Sequence, residues 1–141
     1  MPKSRTYLDA NVLMAAWQGQ GDVAQQAMQI LDNPEREFVV SDALWLELMP
    51  KPLYHKQNDE ADFYNALFEE ADNIPWQVDV LNKACEVATK YGIAAMDAIH
   101  VAIALAAGAD EFVSGEKPTK PMFRVREIRM TSLREPVVVG E

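Results

Sequence analysis

Short apolar runs alternate along this chain with segments of helical periodicity, and that alternation predicts βαβ units around a mainly parallel sheet. Thr6, Tyr7 and Leu8 read as a short buried strand ending at Asp9, followed by a helix over residues 12–17 that stops at Gly19 and Gly21. A second helix over residues 22–33 sets Val23, Ala27, Ile30 and Leu31 on one face and ends before Pro34. Phe38, Val39 and Val40 form the second strand. Ser41 or Asp42 caps the helix after it, in which Leu44 and Leu48 recur at helical spacing around Glu47, and Pro50 and Pro52 end that helix.

The middle of the chain predicts a helical hairpin. Phe63, Leu67 and Phe68 give residues 59–71 an apolar stripe, and Asp79 caps a helix that runs to Tyr91 and stops at Gly92. Ile74, Pro75 and Trp76 form a connection or a very short strand between them. Residues 94–107 make the most apolar helix, whose composition implies burial on nearly all sides, with Asp97 as the exception. Residues 111–114 read as a strand stopping at Gly115, and residues 123–130 and 136–139 supply edge strands or a tail.

The chain has 141 residues, the size of a single domain able to bury a core without disulfides or a structural metal. A formal net charge of -9 argues against a protein that coats nucleic acid through its global field, so any nucleic-acid contact is local or assisted by metal ions. The lone Cys85 has no internal disulfide partner, which fits a reducing compartment. Residues 1–7 carry no apolar signal core and no run is long enough to span a bilayer, so a cytoplasmic protein with no membrane contact is expected.

Composition changes the picture less than the placement of four acids. Asp9, Glu47, Asp97 and Glu116 each fall at or just past the point where a strand gives way to a turn or helix. In an open α/β sheet that rim is where ligands bind. Taken singly, each acid has a plain explanation: Asp9 as a helix cap, Glu47 on a solvated helix face, Glu116 in a turn. Asp97 is the most telling, because it lies in the first turn of an apolar helix where an ion needs compensation. His100 is three residues on and shares nearly the same face. A hydrogen-bonded, half-buried histidine is the reading preferred over a contact with Asp97 or a phosphate. Taken jointly, the acids form a cage of hard oxygen ligands suited to Mg²⁺ or Mn²⁺ rather than zinc.

The blocks that carry these acids resemble the PIN-domain family, most closely its small VapC-like ribonuclease toxins. They are Tyr7-Leu8-Asp9-Ala10-Asn11, Val40-Ser41-Asp42 running to Glu47-Leu48, Met96-Asp97-Ala98-Ile99-His100-Val101-Ala102-Ile103-Ala104, and Ala109-Asp110-Glu111-Phe112-Val113-Ser114-Gly115-Glu116-Lys117. They occur in family order from near residue 6 to near residue 117.

The resemblance implies a three-layer α/β/α fold and Mg²⁺- or Mn²⁺-dependent cleavage of RNA. Asp9, Glu47 and Asp97 match the three principal acidic positions, Ser114 the usual hydroxyl residue, and Glu116 a position where the family more often has aspartate. Metal-assisted phosphodiester hydrolysis would use the carboxylates as ligands, with Asn11 and Ser114 orienting ligands or phosphate. With an adverse net charge, RNA docking would lean on Lys117, Lys120, Arg124, Arg126, Arg129 and Arg134. The likeness also implies a homodimer and an antitoxin partner, with Trp17, Trp45, Phe63 and Tyr64 as exposed aromatics for such contacts, although core packing explains most of them equally well. Two other readings of the acids are a binding module that no longer cuts RNA and an Asp-dependent phosphatase or receiver-like domain. Asn11 stands where the latter would carry a second acid.

Overall fold

A computed structural model describes residues 3–134. Five strands, β1 (Ser4–Leu8), β2 (Arg36–Ser41), β3 (Asp72–Ile74), β4 (Glu111–Ser114) and β5 (Arg129–Ser132), form one sheet in the order β3-β2-β1-β4-β5. All four pairings are parallel. The crossovers are α1 (Ala10–Gln18) and α2 (Gly21–Leu31), then α3 (Asp42–Leu48), α4 (Pro50–Tyr54) and α5 (Asn58–Glu70), then α6 (Val80–Tyr91) and α7 (Ala95–Ala106).

The strand register divides the core into two layers. Tyr7 pairs with Val39 on one side and Phe112 on the other, and these side chains pack with Val80, Val87, Ala98 and Val101 of α6 and α7. One residue along, Leu8, Val40 and Val113 join Val12, Leu13, Leu44, Tyr64 and Phe68 from α1, α3 and α5. Successive strand residues face opposite sides, so three adjacent strands buried on both faces require the continuous apolar runs seen in the sequence. The expected three-layer α/β/α fold is the one observed.

Strand order reverses at the β1–β4 pair: the chain leaves β1 toward β2 and leaves β4 toward β5. That switch point opens a crevice at the strands' carboxyl ends.

Several boundaries differ from expectation. Helix α1 begins at Ala10 rather than Val12, because the Asp9 side chain caps it by accepting the Ala10 N–H. Pro50 does not simply end a helix. It opens α4 as its first residue, where a missing N–H costs nothing. Ser41, not Asp42, caps α3 through its hydroxyl, while the Asp42 carboxylate accepts the Trp76 N–H at 2.9 Å. Asp79 occupies the cap position of α6 without a side-chain capping bond. The short connection near Ile74 is the edge strand β3, which ends where Pro75 offers no N–H to a ladder.

In the 123–130 region a 3₁₀ turn, Pro121–Arg124, precedes β5, because Met122 and Val125 anchor that segment in the core. Residues 136–139 lie outside the described residues. No single helix among the described residues is long and apolar enough to cross a membrane.

Of the four aromatics expected at the surface, Tyr64 is fully buried, with its hydroxyl donating to Glu60 at 2.7 Å. Trp45 packs edge-on against Phe68 and Phe63 tilts against Trp17, leaving Trp17 as the one exposed member. Met28, Leu46, Leu53, Tyr54, Trp76, Val78, Leu81 and Met96 are the other large apolar side chains exposed to solvent among the described residues.

Candidate metal centre at the carboxyl rim

The buried charges at the two rims of the sheet are treated differently. At the amino rim, Glu111 is buried and accepts from Arg36 Nη1 at 2.8 Å and from the Thr131 hydroxyl. Arg36 also donates to Thr6 Oγ1 at 2.9 Å. Arg5 there contacts Glu37, Asp72 and the Ala107 carbonyl. Each buried or half-buried carboxylate has a cation.

At the carboxyl rim the acids have no arginine or lysine partner among the described residues, and His100 is the basic side chain set among them. Asp9 follows β1 directly and is 7% exposed. Its Oδ1 accepts the Ala10 N–H at 2.8 Å and its Oδ2 accepts the Ser114 hydroxyl at 3.0 Å. Among the described residues no Lys or Arg nitrogen lies within 4.0 Å of Asp9, Glu47, Asp97 or Glu116. Burial accordingly pushes the Asp9 carboxyl above the ordinary aspartate range, with repulsion from Glu47 added and with His100, Ser114 and the Ala10 N–H opposing. Asp97, half-buried in the first turn of α7, is raised by burial first and then by the charges of Asp9, Glu116 and Glu47, against His100. All four acids thus share one electrostatic neighbourhood.

The distances divide that neighbourhood in two. Carboxylate and ring atoms of Asp9, Glu47 and His100 lie within 4.8 Å of one another. Asp97 and Glu116 instead line an adjoining cleft of about 190 Å³ with Ala94, Lys120 and Pro121. Glu47 does sit on an exposed helix face, as a lone glutamate there would, but its carboxylate is bonded to His100 Nε2. His100 is wholly buried rather than half-buried, and it reaches Glu47 and Tyr7, not Asp97.

Asn11 and Ser114 are tied into the turn after β4. Asn11 Oδ1 accepts the Gly115 N–H at 2.6 Å, which fastens the end of β4 to the start of α1. A Cβ on Gly115 would stand 3.1 Å from Asn11 Cγ and Oδ1, tighter than ordinary contact, so a larger residue there would press on the clamp. Ser114 Oγ, fully buried, donates to Asp9 and accepts the Glu116 N–H at 3.1 Å. Asn11, expected to orient ligands or phosphate, has its carboxamide oxygen on the Gly115 N–H, in the turn that carries Glu116.

The basic stretch after Glu116 does not form one free strip. Arg124 donates to the Tyr91 carbonyl at the end of α6, Arg134 donates to the Gly115 carbonyl at 2.6 Å, and Arg129 stands 3.9 Å from Glu111. Lys120 borders the Asp97–Glu116 cleft, and Lys117 and Arg126 are exposed with no ion pair among the described residues.

The residues missed from sequence are Tyr7 and Ser41. Tyr7 is wholly buried, with its hydroxyl 2.7 Å from Ser41 Oγ and 2.6 Å from His100 Nδ1. A signal was present: a tyrosine hydroxyl inside a buried strand and a histidine inside an apolar helix each demand a polar partner.

The sequence profile of the PIN domain matches residues 6–118. The chain belongs to the PIN domain family. No curated relative matches it significantly. Among solved structures, a chain of VapBC2 from Rickettsia felis, crystallised bound to a DNA fragment from its promoter, superposes on this PIN domain with a TM-score of 0.69. That pair is 15% identical and covers 91% of this chain and 98% of that one. A toxin–antitoxin complex from Klebsiella pneumoniae also gives 0.69, at 17% identity over 93% and 99%. VapC20 from Mycobacterium tuberculosis, a sarcin-ricin loop cleaving toxin, gives 0.65, at 13% identity over 88% and 98%.

Proposed function

We propose that this PIN domain is a divalent-metal-dependent endoribonuclease and the toxin of a toxin–antitoxin pair. The observation that carries the reading is the contrast between rims: buried acids at the amino rim have arginines, while among the described residues Asp9 and its three acidic neighbours have no Lys or Arg within 4.0 Å and only His100 set among them. Like charges gathered in a partly dry site call for cations from outside. Carboxylate oxygens with no cysteine among them suit Mg²⁺ or Mn²⁺. Bound there, such an ion supplies Lewis acidity and a lowered pKa for water.

The chain's own residues supply order. Ser114 holds one Asp9 oxygen and the Ala10 N–H the other, so the carboxylate enters the crevice in a fixed pose. Asn11 holds the turn that carries Glu116. Glu47 and Asp97 supply further oxygen ligands from α3 and α7. Lys120, at the cleft edge, offers a counter-charge to an RNA phosphate, and Lys117 and Arg126 extend it. The four acids act as ligands, not general bases. An antitoxin partner, a homodimer and a cytoplasmic setting complete the proposal, the first of them supported by the likeness to the Klebsiella pneumoniae toxin–antitoxin complex.

The test is hydrolysis of single-stranded and hairpin RNA in Mn²⁺ or Mg²⁺, with p-nitrophenyl phosphate in parallel. Cleaved RNA, an untouched monoester and full arrest by chelation are expected. Release of phosphate from the monoester would favour a phosphatase, and RNA bound but left intact would favour a binding module.

A further inference from the structure

We infer that Tyr7 and His100 are positioning residues for Glu47, wired so that hydrogen-bond donation runs one way from the α3 backbone to the Glu47 carboxylate. The inference rests on Glu47 serving as a ligand in the proposed function, but its wiring is legible without any ion.

Ser41 Oγ accepts the Leu44 N–H at 3.1 Å as the cap of α3. The serine proton then needs another acceptor, and the Tyr7 hydroxyl oxygen lies 2.7 Å away. Tyr7 in turn has its own proton for His100 Nδ1 at 2.6 Å. A ring nitrogen that accepts leaves the ring proton on Nε2, which faces the Glu47 carboxylate, an acceptor only. Every donor in the chain from Leu44 N–H through Ser41, Tyr7 and His100 to Glu47 meets one acceptor, and none is orphaned.

Two consequences follow. His100 has atoms within reach of Asp9 and Glu47, yet both of its nitrogens are committed, so it does not offer a lone pair to a cation. Glu47 has one oxygen held by His100, which leaves the second without a partner among the described residues. The anchor is rigid: Tyr7 and His100 are buried, and Tyr7 stacks on Phe112 with ring centroids 5.2 Å apart. A glutamate on an exposed helix face otherwise samples several rotamers, and ordering it costs free energy. Partners that hold a metal ligand are commonly worth about 10–100-fold in metal affinity.

The test uses the full chain and Mn²⁺ titrations read by the free-ion electron paramagnetic resonance signal, with melting temperatures recorded alongside. Tyr7→Phe keeps the stack on Phe112 and should weaken Mn²⁺ binding about tenfold, with His100→Ala losing about 10–100-fold. His100→Gln, whose amide can still donate to Glu47, should bind closer to wild type than His100→Ala does. In a Glu47→Gln background the Tyr7→Phe effect should vanish, which a general loosening of the core would not produce. Nitrogen NMR of the metal-free protein should find the His100 proton on Nε2 and Nδ1 bare.

The opposite tautomer, a Tyr7→Phe affinity equal to wild type, or a Tyr7→Phe loss that persists with Glu47→Gln would overturn the inference. Wild type that binds no Mn²⁺, or Asp9→Asn that binds it equally, would overturn the proposed function itself. The tautomer reports on the wiring separately from both.

Discussion

Asp9→Asn is expected to lower RNA hydrolysis on the order of 10³-fold while leaving the melting temperature at pH 7 unchanged or higher. The two halves of this result have one cause. Asp9 is buried with two hydrogen bonds and, among the described residues, no Lys or Arg partner, so its charge is a liability to folding and an asset to cation binding. Asparagine has nearly the same shape, and its carboxamide oxygen still accepts the Ala10 N–H. Its amide nitrogen meets Ser114 Oγ, a hydroxyl that can accept as well as donate. What disappears is the anionic ligand. Metal stabilisation of developing charge is worth several kcal/mol, and each 1.36 kcal/mol is tenfold in rate. Steady-state cleavage of a labelled RNA and a thermal melt of the same preparation check both halves. A structural aspartate would show the reverse, with stability lost and activity following it.

The second large effect is on stability. Asp9 and Asp97 both titrate above their unfolded value of about 3.9, so across that window the folded protein binds more protons than the unfolded chain. Stability from these groups is greatest below the unfolded value, falls as pH rises through the window, and stays at the lower level above it. The metal-free protein should therefore melt at a higher temperature as pH is lowered from 7 toward the ordinary carboxylate range. Asp9→Asn should show a shallower trend.

At pH 7 a cation replaces the missing protons. Mn²⁺ at a hundred times its dissociation constant adds about 2.7 kcal/mol, or roughly 10 °C in melting temperature for a chain of this size. The rise should shrink at the lower pH, where protons compete for the same oxygens. Calorimetric scans with Mn²⁺ and with a chelator, at two pH values, measure it. A metal-induced rise that is the same at both would mean that the ion binds away from these acids.

Much of this architecture is legible along the chain because central parallel strands are buried on both faces. Thr6, Tyr7, Leu8 and Phe38, Val39, Val40 can be read as strands without knowing their neighbours, and the acids that follow them land at the carboxyl rim by connectivity alone. Strand order is another matter, since it depends on which crossover covers which face. Helix α3 ends just ahead of Pro50 as expected, but α4 is hidden because proline's effect has opposite sign at the first turn of a helix and in its interior. Trp17 is exposed as expected and Tyr64 is not, because a periodic pattern does not tell a stripe facing the core from one facing solvent. Tyr64, on that stripe, is wholly buried.

The polar wiring is the least legible layer. Tyr7, Ser41, Glu47 and His100 come from four separate elements, and nothing local to any of them names the other three. The partners of the basic stretch are hidden in the sequence for a related reason. Arg124 and Arg134 have backbone carbonyl partners, which a count of positive charges does not reveal.

The central claim is that acids distant in sequence hold a cation at the switch point of the sheet. Diffraction from crystals grown with Mn²⁺, collected at the manganese absorption edge, tests it most directly. An anomalous peak in contact with an Asp9 oxygen and with at least one oxygen of Glu47 or Asp97 is predicted. No peak in the crevice, or a peak bound only by other residues, would contradict it.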